Sequence, residues 1–545
     1  MSTYQGSWRP ARPRRRSRWF LTGGVVASSL VAAAVGLGGG AASAADHGLS
    51  VPDQGRPVLV PTGDPTDPGH PRRTGERPDG GERRYEAGPQ GTHGRPDDLR
   101  SGWERAAGGD PQESRGTGDD PRERRDGGGN RWHRDAIAVP CDSAQLIAAL
   151  VRVNAEGGGT LRLAPKCTYP LTHAFAQPDQ YDGGIRDARE AADTAENPGD
   201  AEAPPRNPAD DKSGLPVIYH PVTVEGAGAT IVRKTDAEAF RFFTVRDGGE
   251  LTLRDVVLRN GRSAAEGGAL HVVHGASAVV ERTTITHSVS LSAEGGGGAI
   301  FNDGNMLVDE STFVSNNAAG KAGKGGGFLN GGVLTMHRSE FRDNSAVAYG
   351  GGLANYRGAA EVQTSTFAHN TATHGGGLAS FSARTRVSDT KVLGNTAQTG
   401  GGLANSDAVL FLRRLTVRDN TATGNGGGIS TFQGLVPLDD SVVAGNTARG
   451  NGGGLYAEKS NLLVRQSEVS RNGAVGARST GGGIFASLGQ LTLHRSEVIR
   501  NGGTSGPGGI HADKARVTVD DETDVIENRP TNCAGSRVPV THCFR

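Results

Sequence analysis

Phe367-Ala-His-Asn370-Thr-Ala-Thr-His374-Gly-Gly-Gly377-Leu378 is followed by Val392-Leu-Gly-Asn395-Thr-Ala-Gln-Thr399-Gly-Gly-Gly402-Leu403, and that by Val417-Arg-Asp-Asn420-Thr-Ala-Thr-Gly-Asn-Gly-Gly-Gly428-Ile429. Each stretch holds an apolar residue, an Asn three positions on, a short polar run and a Gly triad before another apolar residue. Working outward, the Asn mark recurs at Asn316, Asn344, Asn370, Asn395, Asn420, Asn446, Asn472, Asn501 and Asn528. Upstream, Asn260 and Ser288 extend the series to eleven marks spaced 25 to 29 residues apart. The third position of each triad stands 17 to 19 residues before the next mark, whereas 7 to 11 residues separate a mark from the next triad. Length variation is therefore confined to one arc of the repeat. A fixed period of this size is the signature of a stacked-repeat architecture.

Within the constant arc the apolar residues alternate. Leu410 with Leu412, and Leu491 with Leu493, precede the marks as one inward pair, and Ser339 with Phe341, or Ser441 with Val443, as a second. A period of two is that of a strand with one buried face. Leu353, Leu378, Leu403, Ile429 and Ile484, just after the triads, supply a third strand. Three short strands cannot bury their inner faces alone, but coils stacked at about 4.8 Å can. The pattern predicts an all-β fold, a right-handed parallel β-helix of about eleven coils over residues 214–530. Each marked Asn is expected to take the left-handed bend and to bond the next coil. Gly is expected at the tighter bend.

Gly297-Gly-Ala-Ile300 followed by Phe313-Val-Ser-Asn316 resembles the GGAI and FxxN repeats of the polymorphic outer-membrane proteins. The Gly-rich coils as a whole are similar to secreted bacterial right-handed β-helix, or pectin-lyase-like, proteins, over roughly Pro140 to Asn532. Most later coils carry Gly-Gly-Gly for GGA and Val for Phe. The resemblance implies the fold and is silent on activity.

The flanks read differently. Residues 1–44 have the basic, apolar and small-residue regions of a cleavable export signal, ending at Ala42-Ser-Ala44. Residues 45–135 are rich in Pro, Gly, Arg, Asp and Glu, which predicts a disordered linker. A cap over 136–172 begins with Asp142 as N-cap of a short amphipathic helix containing Ala144 to Val151, and continues into a strand at Thr160–Leu163. The acidic, Pro-rich 173–213 predicts a disordered insertion, and 531–545 a disulfide-closed tail. The four cysteines form two local pairs, Cys141 with Cys167 and Cys533 with Cys543, and read as disulfides stapling the two ends in an oxidising compartment. Neither pair has the spacing of a zinc site. An extracellular, wall-associated location follows, with no stable membrane span once the signal is removed.

With 59 basic and 59 acidic side chains the formal charge is +0, so no global field holds nucleic acid. In the corner column six residues before the marks, Asp389, Arg414 and Asp440 fall on successive coils. Regular stacking would set the two acids about 9.6 Å apart, the upper edge for inverting glycoside hydrolysis. They are the catalytic candidates. The plainer reading is an acid–base ladder, since Arg414 would keep both acids ionised. Asp343 and His369, in the column before the marks, read as a surface contact. Metal and cofactor motifs are not found, nor GxSxG or HExxH. The variable arc, as in Lys321-Ala-Gly-Lys324, is small and polar, and of its residues Tyr349 alone stands out as an aromatic platform. The expectation is a structural, adhesive or glycan-binding protein whose partner is a wall or extracellular polysaccharide or a surface protein. The alternative is a lyase or hydrolase of a uronic-acid polymer, and the reading leans away from an enzyme.

Overall fold

The computed structural model describes residues 136–176 and 211–543. The export signal expected at 1–44, the linker expected at 45–135 and all of the insertion expected at 173–213 except its ends lie outside the described residues.

One coil shows how the repeat closes. Strands Leu378–Phe381, Arg384–Ser388, Lys391–Leu393 and Thr396–Thr399 are separated by turns at Ser382, Asp389 and Gly394, and Gly400 leads into the next coil. These four turning residues have φ of 47, 51, 61 and 63°. The coil therefore has four strand segments where the sequence pattern suggested three. The extra one, Thr396–Thr399, lies in the arc read as loop. The left-handed conformation also falls one residue earlier than expected, on His369, Asp419 and their equivalents with φ of 56 and 57°, while the marked Asn turns inward.

Each strand pairs in parallel with its equivalents on neighbouring coils, as Leu378 with Leu403, Val392 with Val417 and Thr396 with Thr421. The result is a right-handed parallel β-solenoid with sheets of 25, 10 and 11 strands, in keeping with the handedness of parallel crossovers. It has about 14 turns rather than eleven. The additional turns come first, at Ile137–Val139, at Gly159–Leu163 with Thr168–Leu171, and at Pro221–Arg233. They carry neither mark nor triad, which is why the period passes over them. Pairing of Leu258 with Ile285 further shows that Gly261, not Asn260, occupies the mark position of its coil.

The helix Ser143–Ala155 starts where Asp142 accepts a hydrogen bond from the Gln145 amide at 2.9 Å, and buries Leu146, Leu150 and Val153 against the first turns. Disulfides Cys141–Cys167 and Cys533–Cys543 lie at the two ends. The ends of the 173–213 stretch are tied down. The Phe175 amide donates to the Ser213 carbonyl at 2.8 Å, and Asp211 accepts from the Ser263 hydroxyl at 2.6 Å.

Several ladders run inside the coils. Asn395 typifies the first: its Nδ2 donates to the Phe367 carbonyl at 2.9 Å and to Asn420 Oδ1 at 3.0 Å, while its Oδ1 accepts from the Asn370 amide at 2.9 Å. The same pattern links Asn316 to Asn344 and continues through Asn446, Asn472 and Asn501 to Asn528. A second ladder is of hydroxyls, the backbone N–H of Ser311, Ser339 and Ser365 each donating to the hydroxyl of the next coil. Third, Phe313, Phe341 and Phe367 stack at 4.5 and 4.9 Å between centroids, a favourable aromatic geometry. The middle Gly of a triad is required by close approach. A Cβ on Gly376 would stand 2.5 Å from the Gly401 carbonyl oxygen and 2.6 Å from that of Thr396.

Candidate functional site

Asp389, Arg414 and Asp440 occupy successive left-handed corners with φ of 51, 52 and 50°. Arg414 donates to both carboxylate oxygens of Asp389, at 2.6 and 2.7 Å, and Asp440 meets Arg413 at 3.4 Å. The Arg414 hydrogen bonds hold the Asp389 carboxyl below the usual carboxylate range. A general acid needs the opposite shift. The corner pairs Asp255–Arg282, Glu310–Arg338 and Arg495–Glu522 repeat the motif elsewhere on the column. Asp343 pairs with Arg342 at 3.0 Å.

A different surface is shaped as a site. On the eleven-stranded sheet, strand alternation turns Leu353, Leu378, Leu403 and Ile429 inward, so their successors point out. Register aligns this outward column as Leu329, Ala354, Ala379, Ala404, Ser430, Tyr456, Phe485 and His511. Small residues in the middle of the column, between bulky ones at each end, leave a recess. Two positions on, a second outward column holds Tyr356, Phe381, Ser406, Phe432 and Glu458. The opposite wall is Lys324, Tyr349, His374 and Thr399, bridged in that order.

The recess measures about 250 Å³ and is floored by Ala379, Ala404 and Ser430, with Tyr349, His374, Thr399, Phe432, Tyr456 and Glu458 around it. Ala379 to Tyr456 spans three coil spacings, about 14 Å at strand separation. A second cavity of about 290 Å³ lies among Glu266, Glu294, Phe301, Asp303, Lys324, Tyr356 and Arg357. Between them stands an aromatic partition, with Tyr349 4.9 Å from His374 and 5.4 Å from Phe381, and Phe381 stacked on Tyr356 at 5.0 Å.

Polar groups in this groove are held in place. His374 Nδ1 meets the Thr399 hydroxyl at 2.7 Å, and burial lowers its pKa, so the ring is neutral at neutral pH. The Tyr456 hydroxyl donates to Glu458 Oε2 at 2.8 Å, and burial followed by that carboxylate pushes the phenol pKa up. Burial likewise raises Tyr349 and lowers Lys324, whose Nζ donates to the Glu294 carbonyl and lies 4.9 Å from the Tyr356 ring centre.

Tyr349 is thus one of a set of aromatic side chains. The others carried a signal: one and three residues beyond the apolar residue after a triad, as in Leu455-Tyr456 and Ile429-Ser-Thr-Phe432. Seeing them needed the orientation of the third strand, not only its existence. Among the described residues there is no group of His, Cys, Asp and Glu able to hold a metal ion, and no helix long and apolar enough to cross a membrane.

Searches for a matching family model and for a matching curated protein find none. Among solved structures, the chain is similar to the A-module of mannuronan C-5 epimerase AlgE4 from Azotobacter vinelandii, at 14% identity over 70% of this chain and 95% of that one, with a TM-score of 0.37. The AlgE6 A-module of the same organism matches at 12% identity over 70% and 96%, with a TM-score of 0.33. The periplasmic alginate epimerase AlgG matches at 11% over 69% and 88%, with a TM-score of 0.33.

Proposed function

We propose that this is an exported polysaccharide-binding β-helix protein whose binding surface is the groove on the outer face of the eleven-stranded sheet. The observation that carries the reading is the recess at Ala379, Ala404 and Ser430, walled by Tyr349, Phe432 and Tyr456. Sugar rings present apolar C–H faces and polar edges, and a concave site with aromatic surfaces and a few fixed polar groups suits both. Register adds periodicity, because wall positions repeat at about 4.8 Å, close to the rise of one sugar in an extended glycan chain. The export signal and the two disulfides fit an extracellular, wall-associated setting. The test is binding to insoluble wall polysaccharides by the full chain and by Ala404→Trp, which fills the recess from an outward position. Retained binding by the variant contradicts the reading.

A second reading, modification of a uronic-acid polymer, draws support from Lys324, Tyr349 and His374 on successive coils. A neutral imidazole can take a proton, a phenol can return one and an ammonium can offset a carboxylate. Hydrolysis is less well served, since it uses two carboxyl groups and Glu458 alone lines the recess. Elimination would generate unsaturated products absorbing in the ultraviolet, lost in His374→Ala. A polyuronate panel that yields neither such products nor epimerised sugars removes this reading.

A further inference from the structure

The charge of the groove bears on which glycan it accepts. Glu458 is the sole carboxylate or cation among the side chains lining the first recess. In the second cavity Glu266, Glu294 and Asp303 face Lys324 and Arg357. Carboxylates therefore outnumber cations four to two along the groove, on a chain whose overall balance is even. Groups of both signs are already engaged, Glu266 accepting from the Ser292 hydroxyl at 2.8 Å. Lys324 donates to the Glu294 carbonyl, and Arg357 stacks 5.3 Å from the Tyr356 ring centre.

We infer that the groove selects a glycan bearing free amino groups, a polymer of amino sugars, over a polyuronate. The inference rests on the reading of the groove as a glycan site and names the ligand class. A polyuronate places one negative charge on each sugar, and in a half-buried groove with excess carboxylate each meets repulsion that water screens poorly. An ammonium meets the reverse. Glu458 is fixed by the Tyr456 hydroxyl on Oε2, which leaves Oε1 to accept from a ligand. Register sets Glu458 beside Phe432 of the preceding coil. An ammonium bonded to Oε1 therefore stands next to an aromatic ring, and the two attractions add. The Phe432 ring already attracts one ammonium, that of Lys459 at 5.3 Å from its centre. Lys459 is exposed and lies outside the recess lining, so it competes with a ligand amine without filling the site.

The experiment is calorimetric titration of the full chain with three hexasaccharides: glucosamine, its N-acetylated counterpart and galacturonate. Each is measured on the unmodified protein, Glu458→Gln, Lys459→Ala and Ala404→Trp. The glucosamine oligomer is expected to bind most tightly and the galacturonate oligomer most weakly. Glu458→Gln is expected to weaken the glucosamine oligomer roughly ten-fold, the scale of one charge-assisted hydrogen bond, and to leave the acetylated one within about two-fold. Lys459→Ala should strengthen the glucosamine oligomer. Galacturonate binding equal or superior to glucosamine binding, or Glu458→Gln without effect on the latter, overturns the inference, while sensitivity of the remaining binding to Ala404→Trp keeps the groove as the glycan site. Absence of all binding, or binding that ignores Ala404→Trp, overturns both.

Discussion

Replacing Asn395 with Ala puts the internal ladder to a quantitative test. The side chain is fully buried and makes four hydrogen bonds: two donated, to the Phe367 carbonyl and Asn420, and two accepted, from the amide and side chain of Asn370. Its neighbours are not equally harmed by truncation. Asn420 Oδ1 keeps the Asn395 backbone amide, and Asn370 Nδ2 keeps the Phe341 carbonyl. The Asn370 backbone amide loses its acceptor altogether and is left buried, at about 1–3 kcal/mol, with a further ~0.5–1.5 kcal/mol for each of the other bonds. The expected loss is about 2.5–7.5 kcal/mol. Chemical denaturation followed by far-ultraviolet circular dichroism measures it. Hydrogen exchange should show the lost protection concentrated on the coils of Asn370, Asn395 and Asn420, because repeats couple chiefly to their neighbours. A loss under about 1 kcal/mol, the scale of an exposed contact, would refute the claim that the ladder holds the coils in register.

Three further outcomes follow from the same physics. Asp389→Ala removes an exposed pair with Arg414 and should cost less than about 1 kcal/mol at low salt and nothing measurable at high salt, with binding unchanged; because the Asp389 pKa is depressed, what the pair contributes is present above the ordinary carboxylate range and fades only as pH falls through it. His374 also has a depressed pKa, so its burial favours the fold above the ordinary imidazole value and opposes it as pH falls below that. Thermal midpoints should accordingly decline as pH falls below the ordinary imidazole value, more steeply than in His374→Asn; parallel profiles would contradict the assignment. Reducing Cys141–Cys167, which spans 26 residues, should destabilise by about 3.5 kcal/mol and Cys533–Cys543, spanning 10, by about 2.7 kcal/mol on loop-entropy grounds; selective Cys→Ser pairs compared by denaturant midpoint check the order.

Much of the solenoid was legible because each coil repeats the same demands at the same places. Phe367, Val392 and Val417 fill one inward position, and Asn370, Asn395 and Asn420 satisfy the same buried backbone groups. The first turns escaped because Pro221–Arg233 runs as one long strand with a bulge between Glu225 and Ala229, and register puts Lys234, not Asn, at the position where later coils carry their mark. The groove was hidden for another reason. Ala379, Ala404 and Ser430 are uninformative as residue types and become a site only through register, which sets them between Leu329 and Tyr456. The charged corner drew attention because charges at fixed spacing are conspicuous, yet Asp389 and Arg414 satisfy each other.

The most direct test of the groove is hydroxyl-radical footprinting of the full chain with and without a saturating amino-sugar oligomer. Tyr349, Phe432 and Tyr456, around the recess, should be protected by the ligand, while Phe411, on the outer face of the long sheet, should react at the same rate in both samples. Protection at Phe411 without protection at Phe432 and Tyr456 would place the ligand on another face and contradict the account.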